Sequence, residues 1–120
     1  MKVAINRCYG GFGISDPAFE KLLERKGIEF DVVPSDSSLL GNSYYRKGYS
    51  GDVEHYLSEY DMASVRSDPD LIAVIEEMGK ESWSWAAEIV IVEVPDDVAW
   101  HIDEYDGIEH VAENHRTWYE

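Results

Sequence analysis

The chain has one cysteine, four prolines and only ten Lys and Arg residues among its 120 positions. A single cysteine, Cys8, excludes an internal disulfide framework and suits a reducing compartment. No apolar run approaches the ~20 residues of a membrane-spanning helix. No leader pattern precedes the first strand, so the expected setting is soluble and cytoplasmic. The shortage of positive charge is the most telling, because 25 Asp and Glu residues leave a net charge of -15. A surface of that sign is wrong for nonspecific nucleic-acid or anionic-membrane binding.

The acidity is confined to one part of the chain. Residues 1–50 are close to balanced, with seven basic residues against six acidic. Residues 51–80 carry two against eight, and residues 81–120 one against eleven. Arg116 is the only Lys or Arg after Lys80. What the chain does have is aromatic mass, with four Trp and eight Tyr among its apolar residues. At this length it is expected to form one domain, 1–120, with a core that needs no staples.

Periodicity predicts an α+β fold: a mostly antiparallel sheet with two or three helices packed on one face. Lys2 to Arg7 reads as the first strand. Asp16 is the expected N-cap of a helix with Pro17 at its first position, apolar residues Phe19, Leu22 and Leu23, and Gly27 at its end. Ile28 to Val33 is a short strand stopped by Pro34. Ser67-Asp68-Pro69 repeats the opening of the first helix 52 residues later and begins a helix with Leu71, Val74, Ile75 and Met78 on one face. Gly79 closes that helix. The two strand–helix–strand units match, and capping chemistry accounts for the match about as well as duplication does.

Ile89 to Val94 is dense in β-branched residues and reads as a central strand. Val98 to Tyr105 and Ile108 to Val111 flank Asp106-Gly107, a type I′ hairpin signal. Trp100 and Ile102 then share one face, with Ala99, His101 and Asp103 on the other. Residues 41–51 read as a flexible loop rich in aromatic and basic residues, followed by helical spacing at Val53, Tyr56, Leu57 and Tyr60.

The turn Asn6-Arg7-Cys8-Tyr9-Gly10-Gly11-Phe12-Gly13 is the expected site, since a glycine-rich turn before a helix can present backbone N–H groups to an anion. It matches neither the dinucleotide fingerprint G-x-G-x-x-G nor the P-loop. Without a ligand it would be a tight turn needing positive φ and close packing. Arg7 and Arg66, each shortly before an Asp-Pro helix start, read as phosphate clamps or as partners of nearby carboxylates. Tyr9, Phe12, Tyr44, Tyr45 and Tyr49 offer rings on which a base could stack. Arg46 and Lys47 make the middle loop a candidate lid. Cys8 reads as a structural thiol with no histidine close in sequence. His110 and His115 with Glu109 and Glu113 fit no familiar metal spacing. No catalytic set emerges, and no cofactor or metal is expected.

Three stretches resemble a family of small bacteriophage and prophage proteins. They are the opening Val3 through Ser15, with its N-R-C-Y-G-G-F-G-I-S run, the middle Arg66-Ser67-Asp68-Pro69-Asp70-Leu71-Ile72, and the ending. The ending comprises Ile102 to Glu109 and continues through Val111, Glu113 and His115-Arg116-Thr117-Trp118. The resemblance implies a phage-type protein acting inside a bacterial host, where small proteins of this kind often counter defence.

The leading expectation is a non-enzymatic sponge for a small phosphorylated nucleotide signal. Arg7, Gly10, Gly11 and Arg66 would hold phosphates, and Tyr9, Phe12 or Tyr45 would stack on the base. Arg116 would complete the pocket, with a homodimer as one way to enclose it. The alternative is an acidic protein-interaction module or DNA mimic that occupies a basic host protein such as a nuclease. An enzyme acting on a nucleotide ranks below both.

Overall fold

The computed structural model of the protein describes residues 1–35 and 41–113. These residues form an α+β fold with three α-helices and six strands. In chain order these are β1 (Lys2–Asn6), α1 (Asp16–Arg25), β2 (Phe30–Val33), β3 (Ser43–Arg46), α2 (Glu59–Ala63), α3 (Pro69–Met78), β4 (Ile89–Glu93), β5 (Trp100–Tyr105) and β6 (Ile108–Glu113). Every strand pair is antiparallel, and the strands divide into three two-stranded ladders: β1–β4, β2–β3 and β5–β6. No described helix is long and apolar enough to cross a membrane.

The β1–β4 ladder is the middle layer, and alternation along its strands explains why. Ala4 and Ile89, with Ile91, join the core formed by Phe19, Leu22 and Leu23 of α1 and Leu71, Val74 and Ile75 of α3. Val3, Ile5 and Val94 point the other way, onto Trp100, Ile102 and Val111 of the hairpin. The helices therefore cover one face and the β5–β6 hairpin the other. β4, expected to be a central strand, is instead an edge strand hydrogen-bonded to β1 alone among the described strands, although the helices and the hairpin cover the two faces of its ladder.

The two helix starts use their matching sequences in different registers. Ser15 caps α1, its side chain accepting from the Ala18 amide, so the N-cap lies one residue before the expected Asp16. Asp68 caps α3 and accepts from the Asp70 amide. Asp16 is thereby released to accept from the backbone of Asn42. Nor does a strand precede α3, because the short α2 stands there. The second strand–helix–strand unit is not formed, which favours shared capping chemistry over duplication.

The middle segment departs most from expectation. Residues 43–46 form β3, which pairs with β2 and places Tyr44 between the rings of Phe19 and Phe30. The Tyr44 hydroxyl donates to Glu20, and burial holds its pKa far above the ordinary tyrosine value. The helical spacing from Val53 to Tyr60 is broken into a single 3-10 turn, Val53–His55, and the start of α2. Asp52 and Ser58 each cap a separate short element there, which interrupts one continuous helix.

Candidate functional site

The glycine turn is where three distant segments meet. Asn6, wholly buried at the end of β1, organises it. Its side-chain amide donates to the carbonyls of Cys8 (2.6 Å) and Gly107 (2.7 Å), and its Oδ1 accepts from the Glu88 amide at 2.9 Å. The Cys8 thiol donates to the Ala86 carbonyl at 2.9 Å, in keeping with a structural role. A Cβ on Gly10 would lie 1.8 Å from that same carbonyl oxygen, and one on Gly107 would lie 2.5 Å from the Tyr9 carbonyl oxygen. Asp106 and Gly107 have φ of 50° and 86°, as the type I′ hairpin requires. The glycines therefore let the 84–88 segment and the hairpin tip close directly onto the turn.

Each converging loop carries a ring that points to solvent. Tyr9 is 73% exposed, Trp85 82% and Tyr105 78%. Around them stand the exposed carboxylates of Glu88, Glu104 and Asp106, with Arg7 as the cation of the turn. Arg7 is exposed and makes no ion pair with the described residues. The three exposed rings thus stand on loops whose backbones meet at one turn.

Arg66, the second expected clamp, is already occupied. Its guanidinium donates two hydrogen bonds to Glu109, at 2.6 and 2.8 Å, and lies 3.6 Å above the centre of the Phe12 ring. The two side chains are only 17% and 7% exposed. Glu109 also accepts from the Asn6 amide, while the Arg66 carbonyl accepts from the Ala4 amide. Together they satisfy the edge of β1 that β4 leaves open. This is the ion-pair alternative, and it removes Arg66 from the phosphate-clamp set.

Beside this pair opens a cavity of about 550 Å³ lined by Phe12, Glu59, Tyr60, Ala63, Ser64 and Arg66. Glu59 accepts from the Ile14 amide at 2.8 Å. Although the residue as a whole is exposed, its carboxyl group is desolvated, which pushes its pKa up. Asp16 adds to the rise, while the Ile14 amide and Arg66 oppose it. With the Arg66 charge met by Glu109, the Glu59 carboxylate is the unmatched charge among the residues that line the cavity.

Of the residues expected at the site, the structure gathers Arg7, Tyr9, Gly10, Gly11, Phe12 and Arg66 on or beside the turn. Gly11 has a φ of 87° and faces open space. Tyr45 is elsewhere, on β3 with its ring against Tyr56. The segment expected to act as a lid is instead β3 and its following turn, whose Gly48 amide is held by Asp31. Arg116 lies outside the described residues. Sequence reasoning missed Trp85, Tyr105, Glu59 and Tyr60, and knew Glu109 only as a poor metal candidate. Among the described residues no group of three His, Cys, Asp or Glu side chains is placed to hold a metal. Comparison with protein-family models, curated proteins and solved structures finds no match for this chain.

Proposed function

We propose that the protein is a non-enzymatic, acidic protein-interaction module that occupies a basic protein. In the phage-type setting that the sequence resemblance implies, the target is a host nuclease or DNA-binding defence protein. The observation that carries this reading is the tip formed by Tyr9, Trp85 and Tyr105, three exposed rings on three loops locked together by glycine contacts. Rigidly held Trp and Tyr side chains are the residue types that dominate binding energy at interfaces. The carboxylates about them supply complementarity to Lys and Arg, steering association and making it salt-sensitive.

The test is affinity capture from a bacterial host lysate, followed by calorimetry with the purified candidate. Support requires one basic protein bound at fixed stoichiometry with affinity falling as salt rises. Trp85→Ala and Tyr105→Ala should each weaken that binding by about 2 kcal/mol, roughly thirtyfold. Both rings are exposed, so folding stability should move by no more than about 0.5 kcal/mol. Reversal of Glu88, Glu104 and Asp106 to lysine should abolish capture. Binding that survives the ring variants and the reversals alike would sink the proposal.

Sequestration of a phosphorylated nucleotide is the second reading, and Arg7 favours it: an exposed guanidinium without an ion-pair partner among the described residues, two positions from the exposed Tyr9 ring. It lacks the second clamp, because Arg66 is neutralised. Calorimetry against cyclic nucleotides and ADP-ribose derivatives, with Arg7→Ala as control, decides it. Heat from a nucleotide that disappears in the variant would put this reading first.

A further inference from the structure

The cavity beside Arg66 has a chemistry of its own. Phe12 and Tyr60 are among its lining residues, and Tyr60 is 82% exposed. Its floor holds Arg66, whose positive charge is spent on Glu109 through two hydrogen bonds and whose flat face rests on Phe12. The remaining charge is the Glu59 carboxylate. One of its oxygens accepts from the Ile14 amide, and the other accepts no hydrogen bond among the described residues. A phosphate entering here would meet the Glu59 carboxylate and a guanidinium already neutralised by Glu109. A cation would meet a half-satisfied carboxylate in a cavity that the Tyr60 ring also lines, a pairing that favours cation–π contact.

The geometry points to a receptor site for one arginine side chain of a basic protein partner, with Glu59 as its counter-ion and Tyr60 as its stacking wall. A guanidinium fits better than an ammonium, because its planar fork can donate to the free Glu59 oxygen while its face lies on a ring. At about 550 Å³ the cavity falls within the range typical of ligand pockets, with room for the side chain and its flanking backbone. Phe12 and Tyr9 belong to the same turn, so the cavity and the exposed Tyr9 ring are three residues apart along the chain. The inference thus rests on the interaction-module reading and names the partner chemistry within it.

The charged and titratable groups around the counter-ion are few. Asp16 at the start of α1 raises the Glu59 pKa, and Arg66, held by Glu109 of β6, lowers it. The balance is upward, since desolvation is the largest cause. Only the ionised carboxylate holds a guanidinium. Affinity should therefore fall as the solution is acidified, and the fall should begin above the pH at which an ordinary glutamate protonates.

The experiment is titration of isotope-labelled protein with N-acetyl-arginine methylamide, following the Ile14 amide and the Arg66 Nε–H by NMR. Parallel titrations use the norleucine analogue, putrescine and inorganic phosphate. The expected result is saturable movement of both signals with the arginine probe only, weakened at least tenfold by Glu59→Gln and severalfold by Tyr60→Ala. Glu59→Gln keeps the acceptor for Ile14, so the fold is retained and its unchanged spectrum elsewhere verifies this. An unmoved Ile14 signal, equal binding by the glutamine variant, or putrescine or phosphate binding as well as arginine would each overturn the inference. If the cavity fails while the Trp85 and Tyr105 variants still abolish capture, this inference falls and the proposed function stands. If the cavity binds arginine while those variants and the charge reversals leave capture intact, the proposed function falls and the assignment of this arginine site to its partner falls with it.

Discussion

Replacing Glu109 with alanine is expected to destabilise the protein by about 3–5 kcal/mol, the range for removing one partner of a buried ion pair. The carboxylate is 7% exposed and holds three donors: both Arg66 terminal nitrogens and the Asn6 amide. Truncation leaves a guanidinium that is 17% exposed without its counter-ion and a buried strand N–H without an acceptor. The loss arises from stranded polar groups more than from the attraction itself, since two charges withdrawn from water recover little net energy by pairing. A double variant, Arg66→Met with Glu109→Gln, should therefore be markedly more stable than Glu109→Ala. Its glutamine can still accept from Asn6, and no unpaired charge remains. Urea denaturation followed by Trp fluorescence checks both values, and a Glu109→Ala loss below about 1 kcal/mol would show that water or other groups replace the carboxylate.

The same pair shows how far the site was legible in the sequence. Arg66 stands out in so acidic a chain, and both of its possible roles could be written down. The choice between them depended on a residue in the last strand, whose position follows only from the hairpin folding back along β1. The hairpin itself was legible because Asp106-Gly107 is a local signal, where a type I′ turn demands positive φ at two adjacent residues. The alternation of β4 and the apolar faces of α1 and α3 were legible for the same reason: they are written within one element.

Features made by two elements were not legible. β3 was hidden by the Gly, Asn and Ser around it. It is a strand because β2 supplies a partner and because Phe19 and Phe30 enclose Tyr44. Trp85 and Tyr105 carried no local mark in the sequence. In Ser82-Trp83-Ser84-Trp85 the first Trp packs against the core and the second is left outside. Aromatic residues are read as buried by default, and nothing local marks the ones that are not.

The glycine turn gives the second large effect and separates two uses of the same residue type. Gly10→Ala should cost about 3 kcal/mol or more, whereas Gly11→Ala next to it should cost roughly 1 kcal/mol. At Gly11 the penalty is conformational: φ is 87°, disfavoured for an L side chain, but an added methyl group meets nothing within 4 Å. Gly10 has ordinary φ, so propensity alone would tolerate alanine there. Its obstacle is the Ala86 backbone, whose carbonyl oxygen would lie 1.8 Å from the new Cβ. That oxygen cannot rotate away as a side chain would. It also accepts the Cys8 thiol, and the adjoining segment is tied to Asn6 through the Glu88 amide. Relieving the clash means separating the turn from the 84–88 segment and disturbing the interlock on which Tyr9, Trp85 and Tyr105 stand together. Gly10→Ala should thus weaken partner binding at temperatures where the protein is still folded, while Gly11→Ala should lose stability with little loss of binding. Thermal melts and calorimetry on the two variants measure both quantities. Equal effects at the two positions would mean that positive φ, and not the contact between loops, is what the turn requires of glycine.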